Sequence, residues 1–237
     1  MELTMTTLPE LPNYGRTFSL MREGCIDEWQ AYVGHPFVQG LRDGSLPQPA
    51  FLHYMIQDYV YLVHYARAWA LGVVKAESPE EMRLCAATVD SLINHEFSLH
   101  IETCAAQGID EQTVFNAKED LETIAYTRYV LDSGLQGDFL DLILALAPCA
   151  FGYGEIGLLL KDANYVGHPY EKWIATYSGD KFQDVCVKVG HLVDLAIERR
   201  VGNEPTSSPR WSAMQARFTK AVELESAFWG MGLKAVK

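Results

Sequence analysis

The chain has 237 residues, 49% of them hydrophobic and 21% charged, with a net charge of -12. That composition suits a globular protein and rules out a disordered one. An acidic surface disfavours nucleic-acid phosphates or anionic lipid as the main partner, because both need clustered Lys and Arg.

The N-terminus, MELTMTTLPELPNYG, has no basic region followed by an apolar one, so no signal peptide is read there. No unbroken apolar stretch is read as long enough to cross a bilayer; the longest candidate, residues 59–74, is interrupted by His64 and Arg67. The five cysteines (Cys25, Cys85, Cys104, Cys149, Cys186) are scattered and contain no CxxC. This spacing argues for a reducing cytoplasm rather than a disulfide framework or a thiolate zinc site.

Period-2 strand patterns are hard to find and helix signals dominate. Residues 14–33 carry Phe18, Met21, Cys25, Ile26 and Trp29 as one apolar stripe. A turn follows, in which Gly44 ends a short helix and Ser45 or Pro47 opens the next. Residues 49–76 read as one long helix, apolar on nearly every face and therefore central in a bundle. Ser78, Pro79 and two acids start a helix that runs to about Ala106. After Asp110–Gln112, a helix spans about 118–133 and stops at Gly134. Another, starting near Asp138, carries Cys149 to about residue 163. A short helix ends at Ser178–Gly179, residues 180–201 form the next, and Ser207 or Ser208 caps the last, about 209–233. The pattern predicts a single all-α domain of seven or more helices, with no internal repeat.

The segment LALAPCAFGYGEIGLLL, residues 144–160, sets a proline and three glycines beside a thiol. Gly costs about 1 kcal/mol in a helix relative to Ala, and Pro more. Something must therefore approach that backbone. Cys149 is either a small buried hydrophobe or a nucleophile that needs a cation, a base or a helix N-terminus beside it. Asp58 sits on the apolar helix with Tyr54, Tyr61 and Tyr65 on its face. It is either a structural tie between helices or the wall of a polar pocket. Glu225 shares a face with Phe228 and Trp229. It is either a surface acid or a desolvated carboxyl whose raised pKa suits proton donation. Glu223, two residues away, points elsewhere, toward solvent.

Glu96 and His100, four apart with His95 adjacent, could hold iron or zinc, but a helical di-metal site needs a second such pair and none is found. The glycines of GYGEIG follow no strand, so they do not form a phosphate loop. Phe37, Tyr61, Tyr126, Tyr153 and Tyr177 are core by default; beside two acids and a thiol they also suit a flat heteroaromatic ring.

Taken together, HPFVQGLRDGSLPQPAFLHYMIQDYVYL, NHE, AYTRYVL, LAPCAFGYGEIG, HPYEKWIATYSGDKF and ELESAFWGMG resemble the TenA/thiaminase II family, in that order and over about residues 15–233. The resemblance implies a heme-oxygenase-like helical bundle that needs neither heme nor metal, assembled as a homotetramer. It implies hydrolysis of an aminomethyl-pyrimidine, or of thiamin, to hydroxymethyl-pyrimidine. It further implies Cys149 as nucleophile on the pyrimidine ring, Glu225 as the acid for a ring nitrogen, and Asp58 as the acid that binds the ring and helps activate Cys149. Tyr61, Tyr126, Tyr153 and Tyr177 correspond to pocket tyrosines, with Phe37 beside them. Two rival readings are a metal-dependent oxygenase on the same fold, using Glu96 and His100, and a non-catalytic pyrimidine binder or regulator. In this reading Pro148 and Gly152 make room for a flat ring above the thiol.

Overall fold

The computed structural model describes residues 12–235, so the N-terminal reading of residues 1–11 lies outside it. The described residues form twelve α-helices and no strand. In chain order they are α1 Arg16–Glu23, α2 Ile26–Val33, α3 Pro36–Asp43, α4 Gln48–Lys75, α5 Pro79–Ser91, α6 Phe97–Ala105, α7 Glu111–Phe115, α8 Leu121–Gln136, α9 Phe139–Leu160, α10 Glu171–Ser178, α11 Asp180–Arg200 and α12 Trp211–Lys234.

The predicted 14–33 helix is two, α1 and α2, turned at Gly24 and Cys25. A side chain at Gly24 would run into Gln215, so α12 lies against the corner. The predicted 78–106 helix is divided by a π-helical segment, Leu92–Glu96, between α5 and α6. Asp110 caps a separate short helix, α7, its side chain accepting from Thr113 N. Gly134 does not end α8, which continues to Gln136; instead Gly134 lets Leu71 and Leu142 close against the helix. The last helix begins at Trp211, just after Ser208 accepts from Arg210 N.

Helix α9 is the axis of the bundle. α4, α8, α10, α11 and α12 all pack on it, and most of its residues are buried. It starts with a capping box, in which Asp138 accepts from Leu140 N and Asp141 N while Asp141 accepts from Asp138 N. The apolar run Phe139–Ala163, which begins with α9, is long and apolar enough to cross a membrane by length and composition. It displaces 59–74 as the most apolar stretch. Its apolar surface is largely buried beneath neighbouring helices.

Two local expectations fail here. Pro148 does not break α9, which continues to Leu160. Surrounding helices hold the backbone helical although Pro148 lacks the N–H of its own turn. Gly152 does not clear a space above the thiol either: a Cβ there would overlap the Tyr32 ring, so the glycine seats Tyr32 of α2. Gly154 likewise admits Tyr14 and Cys186, and Gly157 admits the backbone of Tyr177.

Candidate active site

The centre of the bundle is aromatic. Phe37 stacks on Trp229 at 4.9 Å between centroids, Tyr61 stacks on Tyr126 at 4.8 Å, and Tyr153 meets Tyr177 at 5.0 Å and Trp229 at 5.3 Å. Beside this cluster lies a cavity between α4, α5, α9, α10 and α11. Its walls include Asp58, Tyr65, Trp69, Glu96, Cys149, Tyr153 and Tyr177. The free space is about 30 Å³, enough for about two water molecules. An outer groove of about 130 Å³ between α5 and α11 shares Thr88, Ser91, Val185 and Val189 with it and leads toward the surface.

All five cysteines are free thiols. Four are buried; only Cys149 is half-buried, its open edge facing the cavity. Burial pushes the Cys149 thiol well above its ordinary pKa, and the nearby carboxylates of Glu225, Asp58 and Glu96 push it further. The site therefore holds a neutral thiol.

Asp58 is buried, and its Oδ2 accepts from the Tyr54 hydroxyl at 2.8 Å. Since that proton is committed, Tyr153 is the donor in its 3.2 Å contact with Tyr54, and Trp173 Nε1 donates to the same oxygen at 3.2 Å. On the other side, Asp58 Oδ2 lies 2.7 Å from His100 Nε2. His100 Nδ1 is 3.0 Å from the Glu96 carbonyl, which only accepts, so Nδ1 carries a proton. One further proton is held between Nε2 and Oδ2. Burial opposes the charged imidazole, but the hydrogen bond and charge of Asp58 outweigh it and raise the His100 pKa.

Glu225 sits behind the thiol, buried, with the Tyr126 hydroxyl donating to Oε1 at 2.7 Å. Desolvation pushes its pKa up to about 8, against hydrogen bonding from Tyr126 that favours the carboxylate. At neutral pH it is largely a neutral acid. Its protonation and that of Cys149 perturb each other, so the two groups are close neighbours. Glu223 is exposed and pairs with Lys220 on the surface. Glu155, from the glycine-rich segment, belongs to neither group: it is buried between Arg22 at 3.0 Å and Trp29 Nε1 at 3.1 Å.

The structure thus gathers Cys149, Asp58, Tyr153 and Tyr177 on the cavity wall, with Glu225, Tyr61 and Tyr126 in the layer behind. Phe37 is not on the wall; it is sealed against Trp229 and Tyr54, with Gly232 of α12 close on its ring. Sequence reasoning misses His100 as a partner for Asp58. The one available signal is a histidine on a buried stripe, which reads equally as a metal ligand. Both of its nitrogens are engaged, leaving none to coordinate a metal, and His95 is exposed. Among the described residues no group of three metal-ligating side chains converges.

The model of the TENA/THI-4/PQQC family matches residues 26–235. The chain belongs to the TENA/THI-4/PQQC family. An aminopyrimidine aminohydrolase from Halalkalibacterium halodurans is 35% identical to it over 205 residues, covering 86% of this chain and 89% of the relative. A crystal structure of a TenA family transcription regulator from Silicibacter sp. TM1040 is 52% identical, with a TM-score of 0.90 over 93% of this chain and 97% of that one. A domain of unknown function with a heme oxygenase-like fold, from Shewanella denitrificans, aligns at TM-score 0.71 with 16% identity over 92% of each chain. At that identity the likeness speaks for the fold alone. This TENA/THI-4/PQQC chain therefore has the all-α, heme-oxygenase-like bundle expected of it.

Proposed function

We propose that this protein is an aminopyrimidine aminohydrolase of thiamin metabolism, a hydrolase of a C–N bond, acting on an aminomethyl-pyrimidine by covalent catalysis through Cys149. The observation that carries the reading is the one cavity-facing thiol, set between a carboxylate (Asp58) and a neutral carboxyl (Glu225). The Halalkalibacterium relative, an aminopyrimidine aminohydrolase, supports the same reaction class.

An aromatic pyrimidine resists loss of a benzylic amine because charge must develop on the ring. Addition of sulfur to a ring carbon, with protonation of a ring nitrogen, removes the aromaticity. In this reading the Cys149 proton passes to Asp58 as the C–S bond forms, and Glu225 gives its proton to the ring nitrogen. The exocyclic amine departs from its protonated form, so the C–N bond breaks with its electron pair leaving on ammonia. Water adds to the methylene and its released proton goes to the ammonia; the C–S bond then breaks, the ring regains aromaticity, the proton held by Asp58 returns to Cys149, and the ring-nitrogen proton returns to Glu225. A neutral Glu225 is what this step needs, and its buried setting supplies it. The high pKa of Cys149 means that thiolate forms only with substrate present, through Asp58 and its partner His100. Tyr153 and Tyr177 flank the ring; Tyr126 holds the acid, and Tyr61 stacks on Tyr126. The remainder of the reading is a single helical domain in a cytoplasmic homotetramer that takes a small pyrimidine, with no nucleic acid or membrane partner.

The test is turnover by purified protein, with ammonia and hydroxymethyl-pyrimidine measured for both the aminomethyl-pyrimidine and thiamin. Products from at least one substrate, lost in Cys149→Ala, are expected. Full activity in Cys149→Ala defeats the covalent route, and inactivity of the native protein on both defeats the assignment.

A further inference from the structure

Glu96 is a cavity carboxyl that the reaction above does not use. It is the last residue of the π-helical segment, and its side chain lines the cavity with Asp58 and Cys149. Its carboxylate has no hydrogen-bond or ion-pair partner among the described residues, while its backbone carbonyl orients His100. An α-helix overshoots a full circle by about 40° every four residues. The wider π turn offsets that drift, so Leu92, Glu96 and His100 stay aligned toward α4 and α9. Such turns recur at functional sites because they redirect one side chain. Trp69, sealed from solvent, lines the same cavity with its indole N–H unpartnered. Unsatisfied polar groups of this kind are costly in a folded interior and mark places where a ligand completes the bonding.

We infer that Glu96 is the counter-charge for a protonated amine on the substrate's exocyclic methylene, making the pocket selective for pyrimidines that carry an ammonium side arm. The inference rests on the proposed hydrolase reading and gives it a substrate class. Asp58 and Tyr65 of α4, His100 of α6, Cys149 of α9, Tyr177 of α10 and Cys186 of α11 are the titratable groups whose charges act on Glu96 or are acted on by it. Only His100 among them is cationic, and it is already paired with Asp58. Desolvation pushes Glu96 up to about 7, so an arriving ammonium finds a carboxyl that ionises readily near neutral pH.

The test compares two ligands by calorimetry on the full chain carrying Cys149→Ser, which blocks turnover. One ligand is 4-amino-5-aminomethyl-2-methylpyrimidine; the other is its hydroxymethyl counterpart, of nearly equal shape but uncharged. Adding Glu96→Gln is expected to weaken the aminomethyl ligand by about 10- to 100-fold and the hydroxymethyl ligand by less than about 2-fold. Equal weakening of both, or of neither, overturns the inference while leaving the hydrolase intact. If the Cys149→Ser protein and the native chain both ignore both pyrimidines, the hydrolase reading falls and this inference with it. Glu96→Asp keeps the charge one methylene shorter and covers the case in which Glu96→Gln does not fold: its loss must fall on the aminomethyl ligand alone, and a loss shared by both ligands overturns the inference.

Discussion

His100 Nε2 and Asp58 Oδ2 are 2.7 Å apart in a space closed to solvent, and they share one proton. Each holds the other in place: Asp58 supplies the charge that favours imidazolium, and His100 prevents an isolated buried carboxylate. Removing one partner of such a pair costs about 3–5 kcal/mol, because the other is stranded. His100→Ala is therefore expected to lower the melting temperature sharply and to reduce kcat more than KM. Because the folded pKa of His100 is raised, its contribution to stability is full below the unfolded value near 6.5 and declines as pH rises through the folded one. Thermal melts of native and His100→Ala protein should converge toward alkaline pH. A constant gap across pH would contradict the charged pair.

Glu225 is held far from the ordinary carboxylate range. Its pKa in the fold is about 8 against an ordinary 4.5. The folded state binds the extra proton, so the stability it contributes below about pH 4.5 is lost progressively as pH rises to about 8. Glu225→Gln removes that slope and is expected to melt higher than native protein at about pH 8, with little difference at about pH 4.5. Turnover should nevertheless fall by about 100-fold or more, as expected for loss of a general acid. In native protein the rate should decline above about pH 8 as the proton leaves. A Glu225→Gln protein that keeps this alkaline limb would show that another group supplies the proton.

Gly152 carries a packing constraint. Any Cβ there overlaps the Tyr32 ring, whose hydroxyl is already buried without a partner near Glu225. Gly152→Ala should destabilise by about 1–3 kcal/mol, the range for overpacking a dense core. Gly157→Ala meets the backbone of Tyr177, which cannot rotate aside, and should cost more. Chemical denaturation of the two variants gives the order directly.

Arg22 anchors Glu155, and both are largely buried, at 14% and 4% side-chain exposure. Arg22→Ala leaves Glu155 with Trp29 Nε1 as its remaining donor. The expected loss is about 3 kcal/mol, with kcat/KM little changed, since neither residue lines the cavity. Denaturant titration beside steady-state kinetics checks both halves of this expectation.

The long helices are legible in the sequence because their apolar periodicity and caps act locally: Ser78 and Asp110 cap where their types and positions imply. The thiol, Asp58 and Glu225 are legible as polar residues in apolar surroundings, and as parts of a familiar ordered set of segments. Three features are not. The π turn at Leu92–Glu96 leaves no mark in residue type, because it answers to packing against α4 rather than to local propensity. The role of Gly152 depends on Tyr32, several helices earlier in the chain, so its spacing looks like room for a ligand. The partnership of His100 with Asp58 spans 42 residues and is set by how α6 crosses α4.

The groove between α5 and α11 has a further consequence. The inner chamber has room for about two waters, and a substituted pyrimidine is several times larger, so capture needs Thr88, Ser91, Val185 and Val189 to part. Arg200 clasps Glu81 with contacts of 2.7 and 3.1 Å where these two helices meet, so an ion pair spans the seam. Observed affinity then equals intrinsic affinity scaled by the fraction of molecules standing ajar. Substitutions far from the sulfur, along this seam, would tune how fast substrate is admitted while leaving the bond-breaking chemistry as it is.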